Sequence, residues 1–261
     1  MELEEFLHNA LYNNLQIQKQ KNNKNYSIVL LIDPFLDKLD KVYDLLIKII
    51  LENPNIQAVK IFPKNITPIY CTGFSSGIVF DVGYLTTSII PVNEGLPYFD
   101  KIQNVNLSSS DIEKELKIGI LEENVVNPIT PKLKIKNIEL FSESLNDGLE
   151  DILTRAMFCV SKKISDLLKN PAEFSKLKSE FTKVDFLNSS FIMTMAKRIQ
   201  LGTIFFGDYA ISDEINFAYE LLKSIKNLAC EDRKKLAGNI ILNGGLTMTI
   251  GFYKRLVHIF I

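Results

Sequence analysis

The stretch SSGIVFDVGYLTTSIIPVNEG, Ser75 to Gly95, decides how this chain is read. An apolar run, Ile78–Phe80, leads into Asp81-Val82-Gly83, and a second run, Thr86–Val92, leads away. That pattern predicts strand, turn, strand. Asp81 falls where the first strand meets the turn. Backbone N–H groups of a Gly-containing turn can hold phosphate, and a carboxylate beside them can hold a metal through water. Asp and Gly are also ordinary turn residues, and the residues alone favour a plain hairpin.

Upstream, YSIVLLID (26–33) predicts a continuous apolar strand, with Pro34 ending its pairing. Lys38–Glu52 places Leu39, Val42, Leu46 and Ile49 on one helical face, and ENPN stops the helix. IQAVKIF (56–62) predicts a second buried strand. Residues 26–62 therefore form a β-α-β unit with parallel pairing. Before it, Leu3, Phe6, Leu7, Ala10, Leu11 and Leu15 predict one face of a helix, and KQKNNKN (18–24) a polar loop.

Downstream, 100–150 is polar and weakly periodic. Residues 144–170 predict a helix ended near KNPAE, and 171–200 are ambiguous. Ser212 is the expected cap of a helix whose stripe is Ile215, Ala218, Leu222, Ile225 and Leu228. A short helix, EDRKKLA, is followed by the strand IILN, a tight turn at Gly244-Gly245 and a helix starting at FYKRL. Glycines between a strand and a helix permit close backbone approach to an anion. The stretch lacks GxGxxG and lacks the Lys-Ser/Thr of a P-loop.

The 261 residues are 46% hydrophobic, enough for one large domain or two small ones. With 30 basic and 31 acidic residues the net charge is −1, which points away from nucleic acid. Cys71, Cys159 and Cys230 lack CxxC spacing, a reduced intracellular pattern, with Cys159 and Cys230 expected to be buried. The apolar runs are too short for membrane insertion. His8 and His258 have no triad or zinc spacing and are expected to be partly buried structural residues. The residues by themselves reach a soluble α/β protein with a candidate phosphate-binding turn.

Several stretches, in order, resemble the actin and actin-related protein family. They are ELEEFLHNALYNNLQI, SIVLLIDPFL, GFSSGIVFDVGYLTTSIIPVNEG, GLEDILTRAMFCVS and ACEDRKKLAGNIILNGGLTMTIGFYKRL. The hairpin and the last stretch are the most specific. The resemblance implies an α/β fold of the actin-like ATPase (actin/hexokinase/Hsp70) type, incomplete at both ends. It places 1–71 in a remnant of actin subdomain 1, and 72–107 and 205–261 in a subdomain 3-like lobe. Residues 108–204 become a divergent subdomain 4-like insertion. It implies ATP or ADP as the cofactor, held by Asp81, Gly83, Gly244, Gly245 and Met248, with no catalytic residue and no metal ligand assigned.

Departures from the family pattern count against catalysis. The first phosphate loop falls before the start of the chain, which also counts against retained nucleotide. Lys64 stands at the water-positioning glutamine, Tyr84 at the second acidic residue of the phosphate loop and Ser88 at the histidine. Leu153 and Thr154 replace a Lys-Glu pair on the adenine side. The resemblance therefore implies a pseudo-ATPase. Within the family, DxGY followed by EGLP, and the RKxLAxNI…GG run, are most similar to the subclass at the pointed end of dynactin. The implied partners are the dynactin filament, its pointed-end subunits or other actin-related proteins, in the cytoplasm and cytoskeleton. The rival readings are a nuclear subunit of a chromatin remodeller and an actin-like ATP-binding cytoskeletal protein.

Overall fold

The computed structural model describes residues 2–15, 26–32, 40–53, 55–126, 148–186, 189–207 and 216–260. The chain divides into two compact units, Met1–Thr67 and Pro68–Ile261.

In the first unit, helix α1 (Glu2–His8) runs into a π-helical turn, Asn9–Asn14. Strand β1 (Tyr26–Ile32), helix α2 (Asp40–Glu52) and strand β2 (Ile56–Pro63) follow, and β1 and β2 pair in parallel. This is the expected β-α-β unit. Its core is small: Leu7, Leu11, Ile50 and Ile56, with Tyr12, Ile28, Leu46, Ile49 and Val59 against it.

Three details differ from the sequence reading. The π-helical turn carries an i→i−5 bond, from Leu15 N–H to Ala10 O at 2.9 Å, which shifts the helical phase. Leu7 and Leu11 are buried, whereas Phe6 and Leu15 are exposed. In α2 the packed residues are Leu46, Ile49 and Ile50, and Val42 turns outward. Neither strand is buried throughout: β1 alternates, with Val29 and Leu31 exposed, and β2 exposes Ile61. Among the described residues the pair is covered on one face, so alternate side chains meet solvent. Pro34, Lys38, Leu39 and the expected loop at 18–24 lie outside the described residues.

The second unit is built on a five-stranded sheet of order β5-β4-β3-β9, with β6 also on β4. Its strands are β3 (Gly77–Val82), β4 (Thr87–Asn93), β5 (Leu96–Pro97), β6 (Gln103–Val105) and β9 (Ile240–Asn243). The β3–β4 hairpin is antiparallel as expected, and β9 joins β3 in parallel from far along the chain. Every residue of β3 is buried. Phe80 meets Phe217 edge to face at 5.2 Å between ring centroids, and Phe205 and Phe252 extend the aromatic cluster.

After the short helix α3 (Thr67–Cys71), helix α4 (Ser109–Leu121) lies where the sequence looked weakly periodic. Ile112, Leu116 and Ile120 are fully buried at a spacing of four, and the charged residues between them dilute the signal. The single helix expected over 144–170 is two, α5 (Leu149–Ala156) and α6 (Lys162–Leu167). Between them the backbone is drawn into extended pairing: Phe158 bridges Ile250, and Cys159 N–H donates to Ile250 O at 2.7 Å. Ser161 then caps α6. The ambiguous stretch holds α7 (Pro171–Ser179), the hairpin β7 (Phe181–Phe186) and β8 (Ser189–Thr194), and α8 (Met195–Thr203).

Helix α9 (Phe217–Lys226) is capped by Asn216, whose Oδ1 accepts from Ala218 and Tyr219 N–H at 3.0 and 3.2 Å. Ser212 and Ile215, its expected cap and first stripe residue, lie outside the described residues. Phe217, Ala218, Leu221 and Ser224 form the buried face, so Leu222 is exposed. Helices α10 (Cys230–Ala237) and α11 (Phe252–Phe260) flank β9 as expected. Cys159 is buried but Cys230 is exposed, on the first residue of α10. His8 and His258 are both exposed, against the expectation of partial burial.

Candidate functional site

Asp81 is a strand residue. It faces Ser88 across the antiparallel pair and Asn243 across the parallel one. Asn243 Nδ2 donates to Asp81 Oδ1 at 2.7 Å, and the residue is 8% exposed. The neighbouring strands thus fix the carboxylate, and the turn proper begins two residues later. There Gly83 N–H donates to Thr86 O at 3.0 Å. The Gly83 and Tyr84 carbonyls accept from Ser109 and Ser110 N–H at 3.1 and 3.0 Å, so the turn satisfies two otherwise unpaired donors at the start of α4.

Gly244 follows β9 at φ +103°, and a Cβ there would stand 2.0 Å from the Val82 carbonyl oxygen. Only glycine lets these two backbones touch. Gly245 opens a 3-10 turn to Met248, held by Thr247, whose N–H and Oγ1 both donate to Gly244 O.

The two turns and α4 enclose a cavity of about 340 Å³. Gly83, Gly244 and Gly245 line it together. Asp81 is not among the lining residues; it precedes the lining residue Val82 on β3. Met248 does not line the cavity and is 75% exposed. Leu153 and Thr154 of α5 line it, as do Ser109 and Glu113 of α4 and Leu246. Sequence reasoning missed Ser109 and Glu113 because it missed α4. The Ser108-x-x-Asp111 cap followed by Ile112, Leu116 and Ile120 was the signal that could have found them.

Tyr84 stands at the mouth, 59% exposed. The Glu113 carboxylate raises the Tyr84 pKa above its ordinary value. Desolvation and the hydrogen bond with Glu113 add to this, and Lys114 opposes it. Among the described residues no lysine, arginine or histidine lines the cavity. Among the described residues no group of three or more His, Cys, Asp or Glu is placed to hold a metal ion. The arrangement offers apolar contact, hydroxyl groups, closely approachable backbone and one carboxylate. Lys64 begins a short 3-10 turn, Lys64–Ile66, in the first unit.

A strand hairpin meeting a glycine turn across one cavity, on a mixed sheet flanked by helices, fits an actin-like α/β fold. The chain belongs to the actin family: the profile of the Actin family matches residues 2–258. Among its relatives, actin-related protein 10 of Dictyostelium discoideum is 26% identical over 213 residues. That match covers 70% of this chain and 42% of the relative, so the chain spans less than half of the relative's length. Among the described residues no helix is long and apolar enough to cross a membrane.

Proposed function

We propose that this actin-related protein works by binding partners and does not hydrolyse nucleotide. Its proposed partners are the dynactin filament and its pointed-end subunits or other actin-related proteins, in support of dynein-based transport in the cytoplasm. In this reading 72–107 and 205–261 correspond to the inner lobe, and 108–204 to the outer insertion. The cavity between the two turns is a residual nucleotide pocket, with Asp81, Gly83, Gly244 and Gly245 as its inherited parts, while Met248, the fifth inherited position, stands exposed outside its lining.

The observation that carries the reading is Tyr84. It puts an aromatic side chain, paired with Glu113, at the mouth of the cavity where the family pattern has a second carboxylate. Phosphoryl transfer needs a placed water, a metal and groups that stabilise charge on the γ-phosphate. Tyr84 removes a carboxylate from the metal's outer shell. Ser88, buried opposite Asp81, supplies a hydroxyl in place of an imidazole, and a charged Lys64 cannot accept a proton from water.

The test is affinity purification of the tagged chain from its own cells, with an ATPase assay on the purified protein. Recovery of dynein–dynactin components and turnover at background are expected. Recovery of chromatin-remodeller subunits alone would overturn the partner assignment. Hydrolysis well above background, lost in Asp81→Ala, would overturn the non-catalytic one.

A further inference from the structure

A second cavity, of about 430 Å³, opens between α7, α8 and the π-helical turn Glu122–Val126 that follows α4. Its size is that of a ligand pocket. Both carboxylates among its described lining residues are committed. Glu123 Oε2 accepts from Thr194 N–H at 2.9 Å, and Oε1 accepts from the Thr194 hydroxyl at 2.5 Å. Glu122 pairs with Lys197 at 3.1 Å. Two other lining groups have no such match among the described residues. The Lys178 ammonium lies 5.2 Å from the centroid of the Phe174 ring, one turn earlier on α7, and has no ion pair. A cation–π contact holds that charge in place without neutralising it. The Gln200 side-chain amide makes no hydrogen bond. It offers one acceptor and two donors, the set that pairs with a backbone peptide group. Half-buried Phe174 and buried Ala196 give the cavity apolar surface beside them.

We propose that this cavity docks an acidic, extended segment of a partner protein. A carboxylate of the segment meets Lys178, its backbone meets Gln200, and an apolar side chain lies against Phe174. The proposal rests on reading the chain as one that works by binding partners, and it gives that reading a place and a chemistry. A basic segment would find both carboxylates already bonded and Lys178 opposing it. A free phosphate would leave the Phe174 face and the Gln200 acceptor unused.

The probes are a dye-labelled hexapeptide alternating glutamate and leucine, and its counterpart with glutamine for glutamate. Each is titrated against the full chain by fluorescence polarisation. The proteins are wild type, Lys178→Glu, Gln200→Ala and, as a control, Lys234→Glu at an exposed position of α10, each checked for folding by circular dichroism. The glutamate peptide should bind wild type about fivefold more tightly than the glutamine peptide, as one exposed ion pair allows. Lys178→Glu should weaken the glutamate peptide about tenfold, because attraction becomes repulsion. Gln200→Ala should weaken both peptides alike, and Lys234→Glu should change neither. Equal binding of the two peptides, equal effects of Lys178→Glu and Lys234→Glu, no binding at all, or full displacement by inorganic phosphate at constant ionic strength would each overturn the proposal. Tagged wild type and Lys178→Glu, purified side by side from cells, separate the site from the function. Dynein–dynactin components recovered with wild type and lost in Lys178→Glu would support the proposal. Their unchanged recovery would overturn it and leave the partner-binding function standing. Peptide binding that depends on Lys178, with no such component recovered by wild type, would support the site and overturn the partner assignment.

Discussion

Two strands of similar wording, YSIVLLI in the first unit and GIVFDV in the second, have opposite surroundings. The first alternates between half-buried and exposed residues, and the second is buried at every position. Apolar content does not separate them, since the exposed strand is the more apolar of the two. The number of covered faces and neighbours does. β1 pairs with β2 alone among the described residues, whereas β3 lies between β4 and β9 with the aromatic cluster on it. A continuous apolar run therefore states a capacity for burial, and the elements that arrive from elsewhere in the chain decide whether it is used.

The largest expected effect comes from deleting one apolar side chain in each of the two strands. Phe80 is fully buried and Val29 is 59% exposed. Phe80→Ala should cost about 3–5 kcal/mol, and Val29→Ala within about 0.5 kcal/mol of nothing. The chain has no tryptophan, so urea unfolding followed by far-ultraviolet circular dichroism is the appropriate measurement. Similar losses in both variants would mean that the exposed face of β1 is covered in solution, and the contrast would fail.

A second pair sharpens the comparison within the second unit. Gly244→Ala should cost about 3 kcal/mol, because φ is positive and the new Cβ would lie 2.0 Å from Val82 O, a backbone atom that cannot swing away. Gly73 also has positive φ, but nothing lies within 4 Å of its would-be Cβ. Gly73→Ala should therefore cost only the backbone strain, about 1 kcal/mol. Equal midpoints for the two variants would show that the β3 and β9 turns separate easily, and the cavity between them would lose its rigid wall.

The parts of this architecture that the sequence revealed share a cause. The β3–β4 hairpin, the β-α-β unit and the strand leading to Gly244 are punctuated locally, by glycine or proline between runs of uniform period. The misread parts were set by contacts remote in sequence. The break between α5 and α6 exists because Phe158 and Cys159 pair with Ile250, which no local pattern announces. The π-helical turn after His8 shifts the phase at Leu15, which is exposed, without changing any spacing in the sequence. At the site, the glycines were legible because their backbone demands are specific. Asp81 was legible as an inherited position at the strand's end, and the strand runs one residue past it, to Val82, since a strand's end depends on pairing such as that with Ser88 and Asn243 across the ladders. Glu113 was invisible while α4 was.

The smallest expected effect concerns the start of α4, which joins the buried hairpin to the cavity wall. Burial disfavours the Asp111 carboxylate, but hydrogen bonds from the Ser108 hydroxyl and backbone N–H, with Lys114 at 3.1 Å, outweigh it and lower its pKa. A lowered carboxylate pKa contributes stability above the unfolded value, about 3.9, and loses it as pH falls through the lower folded value. The contribution should thus be constant from neutral pH to about pH 4 and decline below that. Asp111→Asn should remove its share of this acid limb, and Ser108→Ala should shrink it while costing about 1 kcal/mol at neutral pH. Urea midpoints at pH 7 and pH 3 would separate the two contributions. An unchanged midpoint at pH 7 in Ser108→Ala would show that Ile112, Leu116 and Ile120 hold α4 by burial alone. Glu113 would then be positioned by the core beneath it, and the cap would be a passenger.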